Sequence, residues 1–297
     1  MLQPYIQQQQ QQQQQQPETP QAAVGSPADP IETPATTTAS VYVPGYAFAD
    51  CENCPQMVVL PGGLYQMGSP AAETGRGRDE GPQHEVSIAP FAIGKFEVTF
   101  AQWDACLAGG GCNGYSPPDR GWGRGNRPVT DISWDDAQAY LDWLNHQVGG
   151  LRYRLASEAE WEYAARQGGK KVRFGNGKDM ADPKTINFNG GKDYKLPYSI
   201  AGEYRGKTVP VGSLNSPNAL GLHDMSGNLW EWCWDWDANY TSTAEINPKG
   251  PDNGSYRVGR GGAWDNNPSD IRCSCRYSDI PDGRGYNMGF RLARAVR

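Results

Sequence analysis

Residues 218–236 read NALGLHDMSGNLWEWCWDW. Two acidic residues, Asp224 and Glu231, flank Gly227 in this stretch. Glycine has no Cβ, so the chain can fold tightly there and turn backbone carbonyls inward between the two carboxylates. Such a loop has the look of a hard-oxygen ligand set, and calcium takes about six to eight such oxygens. The plainer reading is that Asp224 and Glu231 cap turns. Trp230 and Trp232 are read as core, together with Trp134, Trp161 and Trp264.

The rest of the chain keeps this character. Its 297 residues include 37 Gly, 10 Trp and 15 Tyr, and 37% are hydrophobic, so loops and aromatic packing dominate over long helices. Met57–Leu60 ahead of Pro61-Gly62-Gly63 reads as a buried strand and a turn. His84–Ile88 alternates as a half-buried strand does. Thr99 with Gln102, Ser133, and Ser157 with Glu160 mark three helix starts. Ala137, Tyr140, Leu141 and Leu144 form the inner face of the second helix, which Gly149-Gly150 ends. From Lys170 onward only short strands are expected. Residues 1–45 carry a glutamine run, Gln7 to Gln16, and then a Pro- and Thr-rich stretch. They lack the apolar surface to offset ordering entropy, which predicts a disordered tether before one folded domain, 46–297.

A net charge of −6 and scattered arginines speak against nucleic-acid binding, which needs clustered cations. No apolar run reaches membrane-spanning length. The start, MLQPYIQQQQ, has neither a basic n-region nor an apolar core, so no signal peptide is expected. Seven cysteines leave at least one unpaired within the chain. Cys51-x-x-Cys54 has zinc-like spacing but no second Cys/His pair to complete a site. Cys106 and Cys112 bracket a Gly-rich loop that suits a small disulfide. Two close pairs point to an extracytoplasmic, oxidising compartment. The missing signal points to the cytoplasm, and localisation stays open between them.

Six segments in order resemble the formylglycine-generating enzyme (sulfatase-modifying factor) family. They are Met57–Ser69, Gly81–Trp103, Arg127–Leu144, Tyr153–Arg166, Asn218–Trp236 and Arg257–Arg294. The resemblance implies an α+β fold of the C-type-lectin type, with short antiparallel strands and about three helices. It implies calcium at Asp224, Gly227, Leu229 and Glu231, the middle pair through carbonyls. Asn187 and Phe188 resemble the start of a second family calcium site, with Glu203 its expected partner.

Catalytic members of that family use copper and oxygen to convert a substrate cysteine, through two cysteines just after a Gly-Gly-Ser-Tyr turn. Copper(I) needs soft thiolates. Here the turn is Gly261-Gly262-Ala263-Trp264, and Asp265–Ile271 holds no cysteine. Copper is therefore not expected, and the chain reads as leaning away from an enzyme. Cys273 and Cys275 are the nearest thiols and would share a face if they lay on a strand. The three histidines, His84, His146 and His223, lie far apart in sequence, and no nucleophile elbow or phosphate loop appears.

Asp265–Asn287 (DNNPSDIRCSCRYSDIPDGRGYN) contains no Lys, Glu, Gln, Met or Trp. It resembles the variable segment of proteins diversified by retroelements, where mutating the adenines of AAC codons cannot yield those five residues. That resemblance implies a ligand-binding face formed by Asp265, Asn267, Ser269, Asp270, Ile271, Cys273, Cys275, Tyr277, Asp279, Arg284 and Tyr286. The expected partner is a protein or a surface ligand. Three readings follow: a non-catalytic binding or display module, an oxidoreductase of the formylglycine-generating type, and a structural or regulatory tethered domain.

Overall fold

Each of the three helices begins with the same reciprocal cap. Thr99, Ser133 and Ser157 accept the backbone N–H of Gln102, Asp136 and Glu160, whose side chains accept the cap residue's own N–H. Two orphan donors are satisfied at once, which fixes where a helix can start. The helices run Phe100–Ala108 (α1), Trp134–Gln147 (α2) and Glu158–Ala165 (α3). The computed structural model describes residues 43–150 and 152–296. Of the expected N-terminal tether, residues 1–42 lie outside the described residues.

Twelve strands form three sheets among the described residues. They are β1 (Ala47–Phe48), β2 (Met57–Leu60), β3 (Gly63–Met67), β4 (His84–Ile88), β5 (Phe91–Gly94), β6 (Tyr153–Leu155), β7 (Trp230–Trp236), β8 (Glu245–Ile246), β9 (Arg257–Arg260), β10 (Arg276–Asp279), β11 (Met288–Phe290) and β12 (Leu292–Ala295). The first sheet, ordered β1-β2-β5-β12-β6, is antiparallel and joins the first and last strands of the domain. The second, β10-β9-β7-β11, carries the C-terminal segment, and the third is β3-β4-β8.

β7 is the seven-residue WEWCWDW run, longer than the short strands expected there. It divides the core. Trp230 and Trp232 pack with Trp103, Tyr140 and Phe290 on the α1 and α2 side. Cys233 joins Trp161, Ala164 and Val258 on the α3 side. Buried on both faces for most of its length, the strand still carries two charged residues, Glu231 and Asp235. Both have partners: Glu231 takes the Trp161 indole N–H at 2.7 Å, and Asp235 takes the Glu158 backbone N–H at 2.8 Å.

Arg260, Arg272 and Arg291 are fully buried. Arg260 donates to the carbonyls of Cys273, Ser274 and Cys275 and pairs with Glu162. Arg272 holds Glu80, Glu73 and the Gly75 carbonyl. A guanidinium has five N–H donors, so one buried arginine satisfies several carbonyls of a chain too irregular to satisfy them in a ladder. The scattered arginines thus hold the C-terminal loops in place.

Cys51–Cys54 is a disulfide with Cα atoms 4.9 Å apart, so the zinc-like spacing belongs to a cross-link. Cys106–Cys112, 6.0 Å between Cα atoms, closes the Gly-rich loop as expected. No helix among the described residues is long and apolar enough to cross a membrane.

Candidate functional site

The loop before β7 is a run of left-handed residues: Asp224, Gly227 and Asn228 have φ of 57°, 73° and 66°. A Cβ on Gly227 would lie 2.3 Å from the Asn187 carbonyl oxygen, so only glycine lets the two segments meet. They meet through a parallel bridge between Asn187 and Gly227 and a bond from Asn228 N–H to the Asn187 carbonyl. The stretches expected to form two separate calcium sites are therefore in contact. Asn187 Nδ2 donates to Asn228 Oδ1 at 3.1 Å, and Asn228 Nδ2 donates to Glu97 Oε1 at 3.0 Å. The Phe188 ring is buried with Phe174 and Tyr198. The Glu203 carboxylate, expected beside Asn187, is largely solvent-exposed and pairs with Arg205 at 3.2 Å.

Glu97, which the sequence did not single out, completes an acidic cluster with Asp224 and Glu231 around one cation, Arg291. Burial, and then the charges of Asp224 and Glu231, push the Glu97 carboxyl well above the usual range. Glu97 Oε2 is buried with no hydrogen-bond partner, as is Asn187 Oδ1. Asp224 Oδ2 accepts the Gly212 N–H at 2.6 Å, yet burial pushes its carboxyl up to about 6. Glu231 is engaged on both oxygens by Arg291, at 2.7 to 3.2 Å, and by Trp161. Three carboxylates against one guanidinium leave negative charge that protons or a divalent cation must answer. Among the described residues no three His, Cys, Asp or Glu side chains converge as metal ligands. A hard cation would therefore rest on Glu97, Asp224 and backbone carbonyls, because the Glu231 oxygens already receive N–H donors.

The C-terminal segment builds its surface around Trp264. Trp122 meets that ring edge-on at 5.3 Å, Tyr204 stacks on it at 6.0 Å and Tyr286 tilts against it at 5.8 Å. Tyr204 and Tyr286 are nearly half exposed, whereas Trp264 is 8% exposed and its indole N–H is buried without a partner. Asp265 accepts both bonds from Asn287 Nδ2, at 3.2 and 3.3 Å, and a hydrogen bond to it raises the Tyr286 phenol. Arg120 lies over the Tyr286 ring at 5.5 Å and grips Asp131 through two bonds. Arg284 lies over Tyr115 at 3.8 Å and holds Asp136 through two bonds. Arg120 and Trp122 come from the loop between α1 and α2, a partner the C-terminal reading missed. The available signal was the Arg-Gly-Trp-Gly-Arg-Gly run at 120–125.

Two residues of the expected face are core. Ile271 packs with Phe174, Ile186 and Phe188, and Cys273 lies in the α3-side cluster, each 0% exposed. They cannot join a solvent-facing patch, because this stretch passes beneath the surface where Arg260 and Arg272 hold it. Ser269 and Asp270 are half-buried beside Gly75 and Tyr198. Tyr277 is exposed but stacks on Trp230 at 5.1 Å, with its hydroxyl donated to Asp279. Asn267 is half-buried. Cys273 and Cys275 precede β10 and do not share a strand face. Burial pushes both thiols up to about 12.

Residues 44–296 match the sulfatase-modifying factor enzyme 1-like domain. The formylglycine-generating enzyme of Streptomyces coelicolor is 32% identical over 284 residues, covering 80% of this chain and 88% of that one. The structure of PvdO from Pseudomonas aeruginosa superposes with a TM-score of 0.68 at 34% identity, over 86% of this chain and 99% of that one. Treponema denticola variable protein 1 superposes with a TM-score of 0.64 at 24% identity, over 84% and 98% of the two chains. That likeness shows a shared C-type-lectin-like fold. With its motifs, its capped helices and its match over residues 44–296, this chain belongs to the sulfatase-modifying factor enzyme 1-like family.

Proposed function

We propose that this chain is a non-catalytic ligand-binding module, displaying a face centred on Trp264 to a protein or surface ligand. The observation that carries this reading is the half-exposed Trp122, Tyr204 and Tyr286 around a buried Trp264, flanked by Arg120 and Asp265. Tryptophan, tyrosine and arginine dominate binding hot spots, and tyrosine offers large contact area at low entropic cost. The face comprises Asp265, Arg284 and Tyr286; Tyr277 and Asp279 lie on β10, where Tyr277 stacks on Trp230. Ile271 and Cys273 belong to other core clusters and stand outside the face. The composition of Asp265–Asn287 supports diversification by a retroelement. Two disulfides support an extracytoplasmic location.

The residues present do not fit a copper site. Asp265–Ile271 offers no thiol, and burial holds Cys273 and Cys275 as thiols rather than the thiolates copper(I) takes. The oxidoreductase reading draws on the names of relatives. A calcium ion is the proposed answer to the excess charge of Glu97, Asp224 and Glu231, with carbonyls of the Gly227 loop completing its shell.

Two measurements test the proposal. Copper-loaded protein incubated with oxygen and a sulfatase-type cysteine peptide is expected to give no aldehyde; formylglycine in that peptide would overturn the non-catalytic reading. The neighbouring DNA is expected to hold a reverse transcriptase and a near-copy of the 265–287 coding region, and their absence would remove diversification from it.

A further inference from the structure

The two disulfides differ in one respect that matters chemically. Cys106 and Cys112 are 0% and 2% exposed and lie inside the main core cluster. Cys51 is solvent-exposed, while its partner Cys54 is 6% exposed. The pair closes the turn Cys51-Glu52-Asn53-Cys54 between β1 and β2, and Cys54 with Glu52 and Asn53 lines a cavity of about 430 Å³.

That turn is held without the cross-link. β1 pairs with β2 through Ala47–Val58 and Phe48–Met57. Gly45 N–H donates to the Val59 carbonyl at 2.8 Å, and Val59 N–H donates to the Tyr46 carbonyl at 3.0 Å. Asp50, just before Cys51, accepts the Tyr153 hydroxyl at 2.6 Å and an Arg294 N–H. Just after Cys54, the Gln56 carbonyl accepts the Lys95 N–H at 2.7 Å. A disulfide stabilises chiefly by restricting the unfolded chain, and it does least when it closes a short loop. A cross-link spanning three residues between two pinned segments has little to do as a staple.

We propose that Cys51–Cys54 is a thiol–disulfide exchange site whose reactant is a dithiol arriving at the exposed Cys51 sulfur. A thiolate of the reactant attacks Cys51 Sγ, the Cys51–Cys54 bond breaks, and Cys54 leaves as a thiolate that takes up a proton at the cavity side. The reactant's second thiolate then attacks its own sulfur in the mixed disulfide and releases Cys51. Two electrons pass to the pair, which becomes two thiols, and the dithiol becomes a disulfide. Run backwards, the same steps reduce a disulfide of the reactant and re-form Cys51–Cys54. Cys51 exposure sets which sulfur is attacked, since access governs exchange as much as thiolate fraction does.

The test uses the folded full chain, titrated with dithiothreitol, quenched with an alkylating agent and mapped by peptide mass spectrometry. Cys51 and Cys54 are expected to be labelled at a reductant concentration at least roughly tenfold below that which opens Cys106–Cys112. Cys51→Ser/Cys54→Ser is expected to leave Tm within a few degrees of the parent, while Cys106→Ser/Cys112→Ser lowers it clearly more. Cys54→Ser alone is expected to form a mixed disulfide through Cys51 with oxidised glutathione. The proposal is overturned if Cys51–Cys54 stays closed while Cys106–Cys112 opens. It is equally overturned if the two double variants lose stability alike, or if Cys54→Ser takes up no glutathione.

Discussion

Arg291 grips both oxygens of Glu231 from 60 residues away, with three N–H···O contacts between 2.7 and 3.2 Å. The same guanidinium donates to the Gly94 and His223 carbonyls, at 2.9 and 2.8 Å. It therefore joins β7, the chain between β11 and β12, the end of β5 and the start of the loop before β7 in one buried node. Truncating one member of such a pair strands a buried charge. Arg291→Met is expected to cost about 3–5 kcal/mol by urea denaturation. A loss under about 1 kcal/mol would mean that the node does not hold the domain together.

The acidic cluster predicts an unusual pH response. Asp224 sits at about 6 in the folded chain, against an ordinary 3.8. A raised carboxyl binds its proton more tightly in the folded state, so the stability it contributes is present below its ordinary value and is lost as pH climbs through 6. Glu97 and Asp235 shift the same way. His223, lowered by burial, Lys95 and Arg291, acts oppositely. Asp224→Asn isolates the effect. In chelator its Tm should stand above the parent's by a margin that is smallest near pH 4 and grows as pH climbs to 7.5. Adding calcium should reverse that order at pH 7.5 by stabilising the parent through mass action. If calcium moves neither Tm, the cation proposal fails.

The Trp264 face separates binding from stability. Trp264→Ala is expected to cost about 3–5 kcal/mol, as for other large core aromatics. Tyr286→Ala should cost little, because the ring is 43% exposed. Tyr277→Ala should lie between them, losing a stacked contact with Trp230 worth roughly 0.5–1.5 kcal/mol. An alanine series followed by denaturant unfolding decides the order. Tyr286→Ala as damaging as Trp264→Ala would place that tyrosine in the core and remove it from the display face.

Ile271 gives the complementary test. It lies within the segment expected to vary, yet it is 0% exposed among Phe174, Ile186 and Phe188. Ile271→Ala is expected to lose about 2–5 kcal/mol. Asn267→Ala, four residues earlier and half-buried, should lose much less. Equal losses at the two positions would mean that the segment is not divided into core and surface positions as its burial indicates.

What the sequence by itself determined was whatever local chemistry decides. Thr99, Ser133 and Ser157 mark the helix starts, because a cap is satisfied within four residues. His84–Ile88 shows its strand by alternation, and Gly227 shows that a close approach occurs. Six ordered motifs point to the family, which the match over residues 44–296 shows. Tertiary structure decided the rest. Glu97 enters the acidic cluster only because the chain after β5 passes the Asn228 side chain, 131 residues away in sequence. Arg120 and Trp122 reach Tyr286 and Trp264 only when the loop between α1 and α2 folds over the C-terminal segment. Ile271 and Cys273 stand in a polar run that reads as surface, and they are buried because Arg260 and Arg272 pull that run beneath it. Caps and alternation are written in near neighbours. Burial and charge pairing depend on residues from distant parts of the chain, and no local pattern encodes which of them will meet.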